Sequence, residues 1–86
     1  MMTETMTVTL KLFAVYQEAL GVPEKEMVLP VGTTAGEVRD RLLMDYPTLT
    51  RWRDLTRFGI NLQFAEADTP LRNGAELVLI PPVSGG

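Results

Sequence analysis

The sequence predicts an α+β domain of the β-grasp type, in which a mixed sheet carries one main helix packed on one face. Apolar runs of strand length lie on both sides of a single long helical pattern. The last of these runs, residues 76–80, has four consecutive apolar residues, which is typical of a central strand. A chain of 86 residues has room for one modest core, so a single domain is expected.

The first predicted strand covers residues 7–13, where apolar and polar side chains alternate. Phe13 belongs to the more polar side of this strand and should therefore point away from the core. A helix of about two turns is predicted over residues 14–20, and Gly21 and Pro23 end it. The apolar face predicted for this helix comprises Ala14, Val15, Ala19 and Leu20.

The main helix is predicted over residues 35–46. Thr34 and Glu37 have the spacing of a capping box at its start, and Pro47 closes it. Arg39 is predicted on a face other than the buried one. The buried positions are spaced three or four residues apart, at Ala35, Val38, Leu42 and Tyr46.

Three further segments lead to the last strand. Residues 26–31 form a strand that should pair with the first. A short irregular helix is predicted over residues 48–57, with inward-facing residues at Leu49, Trp52 and Leu55. Residues 58–64 alternate and predict one continuous third strand, whose apolar side comprises Phe58, Ile60, Leu62 and Phe64.

The connection to the last strand is predicted to be a loop in which Leu71 points inward and Asn73-Gly74 makes a tight turn. The first and last strands arrive from opposite ends of the chain, so a parallel pairing between them is expected. Residues 1–6 are predicted to be a flexible leader, residues 7–80 the β-grasp domain, and residues 81–86 an extended tail.

The composition limits the chemistry that the chain can perform. It has no Cys and no His, which removes thiolate nucleophiles, imidazole bases and Cys/His metal sites, and no bound cofactor is expected. The net charge of −3 argues against nucleic-acid binding, and the cluster of Arg51, Arg53 and Arg57 is predicted to be a solvated face. Neither a membrane span nor a signal peptide is apparent, so the cytoplasm is the expected location.

The tail is the most informative part of the sequence. Pro81 and Pro82 stop the last strand, because neither has an N–H for the sheet and each restricts φ. Gly85 and Gly86 have no side chains, so their backbone would fit a narrow channel in another protein. From Pro81 onward the tail would reach about 20 Å if extended. The alternative interpretation is an ordinary frayed end.

The tail Leu79-Ile80-Pro81-Pro82-Val83-Ser84-Gly85-Gly86 closely resembles the end of the small subunit of molybdopterin synthase, the MoaD family, which is related to the ThiS and ubiquitin-like carriers. The resemblance extends over about residues 7–86. Segments 12–14, 59–61 and 68–74 resemble the family's opening strand, an inner strand and a tight turn. Gln17 and Ala75 depart from the pattern, at positions where Arg and Asp are frequent.

The resemblance implies a ubiquitin-like sulfur carrier that is not an enzyme on its own. In this family a MoeB-like enzyme adenylates the C-terminal glycine, here Gly86, with ATP, and a sulfur-donor protein supplies the sulfur of a thiocarboxylate. A MoaE-like large subunit then takes up the tail, here Pro81, Pro82, Val83, Ser84 and Gly85. The sulfur goes to a pyranopterin precursor in molybdenum cofactor (molybdopterin) biosynthesis.

Docking on such partners needs a surface beside the tail. Phe13 is a candidate because it lies on the outer side of the first strand. Val78 and Ile80 are candidates because the last strand is apolar at every position from Leu77 onward. Ordinary core packing is the alternative for all three residues; it is an equal alternative for Val78 and Ile80, and Phe13 is the better candidate for docking.

Other functions fit the same tail. A β-grasp carrier with a Gly-Gly end could deliver sulfur for thiamine, cysteine or tRNA thiolation. It could also be a protein modifier joined through Gly86 to lysines, or a binding module in which the tail has no role.

Overall fold

The structure, a computed structural model, describes residues 4–82 of the chain. In chain order the elements are β1 (Thr5–Leu12), α1 (Val15–Leu20), β2 (Glu24–Pro30), α2 (Ala35–Asp45), a 3₁₀ helix (Pro47–Leu55), β3 (Arg57–Ile60), β4 (Gln63–Ala65) and β5 (Glu76–Ile80). The five strands form one mixed sheet in the order β2-β1-β5-β3-β4. No helix within residues 4–82 is long and apolar enough to cross a membrane.

Strand β5 is central, and it pairs in parallel with β1 and antiparallel with β3. In the parallel pair, Leu10 lies opposite Leu77 and Leu12 opposite Leu79. These four side chains are fully buried and face α2, which contributes Val38 and Leu42 among others to the same cluster. The predicted mixed sheet with one main helix on one face is therefore confirmed, as is the parallel pairing of the first and last strands.

The start of α2 follows the prediction. The Thr34 side chain accepts a hydrogen bond from the Glu37 N–H at 3.2 Å, and the Glu37 carboxylate accepts one from the Thr34 N–H at 3.0 Å. This capping box satisfies two backbone donors that a helix start would otherwise leave without partners. Ala35, Val38 and Leu42 are buried as predicted, while Tyr46 is half-buried.

The prediction for Arg39 was wrong, because its side chain is buried. The guanidinium lies over the ring of Phe58, 5.4 Å from its centroid, and Nε donates to Asp40 Oδ1 at 2.9 Å. Arg53 of the 3₁₀ helix donates to the same carboxylate. Partial burial acts to raise the pKa of Asp40, but the hydrogen bonds from Arg39 and Arg53 outweigh it and the pKa is lowered. A buried Arg is acceptable here because its charge is paired and its long stem is apolar.

Helix α1 ends at Gly21 as predicted. Gly21 adopts φ 77°, and its N–H donates to the carbonyl of Gln17 at 2.8 Å. The buried residue of α1 is Tyr16, which the predicted apolar face omitted. Its hydroxyl lies 2.5 Å from Thr56 Oγ1, which in turn donates to the Trp52 carbonyl at 2.8 Å. Burial raises the pKa of the Tyr16 phenol. An amphipathic Tyr can occupy the core when its hydroxyl finds such a partner.

The predicted leader is wrong at its C-terminal end. Strand β1 begins at Thr5, and Thr5 and Met6 pair with Pro30 and Leu29 of β2. Met6 is buried, so alternation of apolar and polar residues extends two positions further than predicted. Residues 1–3 lie outside the described part of the chain.

The predicted third strand over residues 58–64 is in fact a two-stranded hairpin. Asn61 and Leu62 both have positive φ, 49° and 71°, and make a two-residue turn between β3 and β4. The turn ends the alternation, so Leu62 and Phe64 are exposed instead of facing the core. Leu55 is also exposed, in contrast to its predicted inward position, whereas Leu49 and Leu71 are buried as predicted.

Candidate docking face and tail exit

The face of the sheet opposite α2 is called the outer face here. One row of neighbouring residues crosses all five strands on this face. The strand registers place Lys11 between Glu24 and Val78, and Gly59 between Val78 and Phe64. Val78 is half-buried and Phe64 is 84% exposed. Because Gly59 has no side chain, the surface has a shallow depression between the side chains of Val78 and Phe64.

The next row lies where the chain leaves β5. Arg57 of β3 is opposite Ile80. Phe13 directly follows Leu12, the last residue of β1 that pairs with β5, and the same register continued by one residue leads to Ile80. Phe13 is 53% exposed and Ile80 is half-buried. The outer face therefore offers apolar surface next to the point at which the tail begins.

The structure brings the three predicted docking residues together. Val78 and Ile80 point away from α2, so core packing is not the explanation for them, and Phe13 is exposed just beyond the end of β1. Phe64 joins them, although the sequence placed it on the core side. An Asn followed by a left-handed Leu is a rare turn sequence, and no glycine marks it.

The stem of the tail is held against the domain. Pro81 is buried and Pro82 is exposed. A shallow groove runs beside them, lined by Leu55, Arg57 and Ile80 together with Asp54 and Thr56. The remaining predicted tail residues, Val83, Ser84, Gly85 and Gly86, lie outside the described residues.

Charges border the apolar part of the outer face. Lys11 Nζ donates to Glu24 Oε2 at 3.0 Å, and this hydrogen bond with the attraction of the carboxylate raises the pKa of Lys11. Lys11 therefore remains protonated beside Val78 at neutral pH. Arg57 supplies a second positive charge beside Ile80. Such charges around an apolar centre favour selection of a partner more than raw affinity.

Backbone strain supports the position of Phe13. The next residue, Ala14, has φ 49° and ψ −122°, a region that residues with a β-carbon rarely adopt. The Phe13 carbonyl accepts a hydrogen bond from the Tyr16 N–H at 3.1 Å, which closes the turn into α1. Ala14 thus directs the chain so that Phe13 stays on the outer face while Tyr16 enters the core.

Replacement Ala14→Gly is expected to stabilise the fold. Relief of strain contributes about 1–3 kcal/mol, and the greater freedom of glycine in the unfolded chain removes about 0.5–1 kcal/mol. A net gain of about 1 kcal/mol would raise the midpoint of thermal unfolding by about 4–8 °C. The control is Ala19→Gly within α1, which should lower the midpoint. A lower midpoint of thermal unfolding for Ala14→Gly would contradict the claim that the backbone is strained at Ala14.

The site contains few groups that could perform chemistry. Within residues 4–82, no cluster of three or more acidic side chains comes close enough to hold a metal ion. The outer face presents an apolar centre, the Lys11–Glu24 ion pair, the charge of Arg57 and the root of the tail. This arrangement suits binding to another protein.

Comparisons with known proteins agree on a family and a fold. The profile of the ThiS family matches residues 10–86. A molybdopterin synthase sulfur carrier subunit from Arabidopsis thaliana is 30% identical over 84 residues, which is 98% of this chain and 88% of that protein. One from Mycobacterium tuberculosis is 33% identical over 64 residues, or 74% and 77% of the two chains. The crystal structure of SAMP1 from Haloferax volcanii superposes with a TM-score of 0.76 at 30% identity, over 93% of this chain and 99% of that one.

Proposed function

The chain belongs to the ThiS family, and we propose that it is a sulfur carrier for molybdopterin synthesis. Its Gly86 would be adenylated, converted to a thiocarboxylate and presented to a pyranopterin precursor. The observation that carries the proposal is the 30% identity, across 98% of the chain, to a molybdopterin synthase sulfur carrier subunit. The outer face beside the root of the tail supports it, because a carrier must dock before its end can enter a partner.

The chemistry explains why the chain needs no catalytic side chain. A carboxylate is a poor electrophile, so ATP first converts Gly86 to an acyl-adenylate with release of pyrophosphate. Hydrosulfide supplied by a donor protein then attacks the acyl carbon: a C–S bond forms, the C–O bond to AMP breaks, and loss of the S–H proton leaves the thiocarboxylate. The absence of Cys and His from the sequence fits a protein whose reactions are catalysed by its partners.

Three partners follow from this sequence of steps. They are an adenylating enzyme of the MoeB type, a sulfur-donor protein, and a large subunit of the MoaE type that receives the tail. We propose that the large subunit covers Phe13, Val78, Ile80 and Phe64. These side chains give the apolar centre that protein interfaces place beneath a polar rim.

Mass spectrometry tests the loading step. The intact protein is incubated with the adenylating enzyme, ATP and a sulfur donor, and its mass is compared with that of a sample without ATP. Exchange of one carboxylate oxygen for sulfur should add about 16 Da, and tandem fragmentation should place the increase on Gly86. An unchanged mass under conditions that load a known carrier would refute the proposal.

A protein modifier is the second candidate. The likeness to SAMP1, a small archaeal modifier protein by the name of a related crystal structure, favours it at 27–30% identity. In that case the acyl-adenylate is attacked by a lysine amine, an amide forms and AMP leaves. Incubation with cell extract and ATP would then give conjugates of higher mass in place of the thiocarboxylate.

Carriers for thiamine, cysteine or tRNA thiolation would load in the same way as a molybdopterin carrier. They are distinguished by the acceptor. The loaded protein should convert a cyclic pyranopterin precursor to molybdopterin when the large subunit is present, and sulfur transfer only to another acceptor would select one of these alternatives.

A further inference from the structure

Leu62, at the tip of the β3–β4 hairpin, has a backbone conformation and a solvent exposure that do not stabilise the fold. Asn61 and Leu62 have φ 49° and 71°, the two left-handed conformations of a type I′ turn. Such turns prefer Asn followed by Gly, because a β-carbon is strained at the second position. The Leu62 side chain is also 91% exposed to solvent. Leu62 is therefore unfavourable both in its backbone conformation and in its exposure.

The tip is nevertheless firmly held. The Asn61 N–H donates to the Glu76 carbonyl at 3.0 Å, and Asn61 Oδ1 accepts from the Glu76 N–H at 2.9 Å. Both bonds join the turn to the first residue of β5. The backbone at Leu62 is therefore fixed in position relative to β5, the strand that leads into the tail.

Leu62 lies at the end of the sheet that is away from the tail. Phe64 follows it by two residues and belongs to the row that contains Gly59 and Val78. The registers place Arg57 at the tail end of β5, opposite Ile80, and the turn at the other end. A partner that touches both Phe13 and Leu62 must therefore cover the whole length of β5.

We propose that Leu62 is a contact residue for the large subunit that receives the tail, and that it enters an apolar socket on that subunit. This inference rests on the proposed function and identifies a further part of its interface. Because the hydrogen bonds of Asn61 already fix the backbone of the turn, little backbone freedom is lost when Leu62 binds a partner, which favours affinity. Burial of Leu62 in the complex would then offset the free-energy cost of its exposure and backbone strain in the free protein.

The size of the interface favours the large subunit over the adenylating enzyme. Strands β1, β5 and β3 alone give a patch of about 16 Å by 14 Å, from spacings of about 3.3 Å per residue and about 4.8 Å per strand. A stable assembly buries about 800 Å² on each partner, whereas transient encounters bury less. The patch must therefore be extended for a lasting subunit contact, and the hairpin lies next to it.

Variants Leu62→Gly and Leu62→Asn test the contact, because both residues tolerate a left-handed conformation. The midpoint of thermal unfolding should rise by a few degrees for Leu62→Gly and should not fall for Leu62→Asn. Affinity for the large subunit of molybdopterin synthase from the same organism, measured by isothermal titration calorimetry on the full chain, should fall about tenfold for both. The loading of Gly86 with sulfur, measured as the increase in mass, should be unchanged in both variants.

A matched control is Met44→Ala on α2. Met44 is 81% exposed but lies on the helical side of the molecule, so its removal should leave affinity unchanged. If the wild type binds the large subunit and both Leu62 variants bind equally well, the contact is disproved while the proposed function stands. An equal loss of loading would disprove the assignment to the large subunit. Failure of the wild type to bind would count against both proposals.

Discussion

Deletion of Gly86 is expected to abolish sulfur loading while the fold stays intact. The shortened chain still ends in a carboxylate, on Gly85, but that carboxylate lies about 3.3–3.6 Å short of its original reach. Displacement by about 1 Å can cost a reaction about 100-fold, so at least this loss is expected in the rate of thiocarboxylate formation. Intact-mass spectrometry over a time course of incubation with the adenylating enzyme, ATP and a sulfur donor measures the rate.

Two companion variants separate reach from bulk in the tail. Gly86→Val keeps the length but adds a branched side chain at the reacting residue, and it should also fail to load. Ser84→Ala keeps the length and adds no bulk, so it should load at close to the wild-type rate. Every helix and strand of the described fold lies between Thr5 and Ile80. The midpoints of thermal unfolding of all three variants should therefore agree with that of the wild type. Loading of the truncated chain at the wild-type rate would refute a role for the terminal carboxyl group.

The fold was predictable from the sequence because its main signals are local. The capping box at Thr34 and Glu37 marks the start of α2, and Gly21 marks the end of α1. The apolar run that ends at Ile80 identified the central strand. The resemblance to the MoaD family is confirmed by relatives of 30–33% identity over most of the chain. These features depend on neighbours within a few residues, which a sequence shows directly.

Errors arose where a distant contact overrides the local pattern. Arg39 is buried because its guanidinium lies over the ring of Phe58 and its charge is paired with Asp40, a carboxylate that Arg53 also binds. The turn at Asn61 and Leu62 depends on hydrogen bonds to Glu76, fifteen residues further along the chain. The adjacent Asp40 and the turn-favouring Asn61 do not by themselves specify either arrangement.

The residues of the candidate site likewise fall into those that the local pattern placed correctly and one that it did not. Strand parity was enough to place Phe13 on the outer face, and Val78 and Ile80 share that face because they are two residues apart on β5. Phe64 could not be assigned, because one unmarked turn changes the side of the sheet on which it lies. A docking face assembled from several strands therefore needs the strand order as well as the pattern within each strand.

Substitution Phe13→Ala is expected to weaken binding of the large subunit about 30-fold. Phe13 follows β1 at the end of the sheet from which the tail leaves, where an aromatic side chain can become fully covered in the complex. Truncation of such a central aromatic residue costs about 2 kcal/mol or more of binding free energy, which corresponds to this change in affinity. Because the side chain is 53% exposed in the free protein, the unfolding midpoint should change little. Isothermal titration calorimetry measures the affinity, and thermal unfolding followed by circular dichroism measures the midpoint.

The control for Phe13→Ala is Val31→Ala, and it decides whether the loss belongs to the outer face. Val31 is similarly exposed, at 58%, but it follows β2 on the parity of Met27 and Leu29, which face the core side. Its truncation should leave affinity unchanged. Equal losses for both variants would indicate a general effect of removing surface apolar area, and wild-type affinity for Phe13→Ala would move the docking surface away from the root of the tail. A specific loss at Phe13 would place the partner over the row that contains Ile80 and Arg57, from which the tail departs.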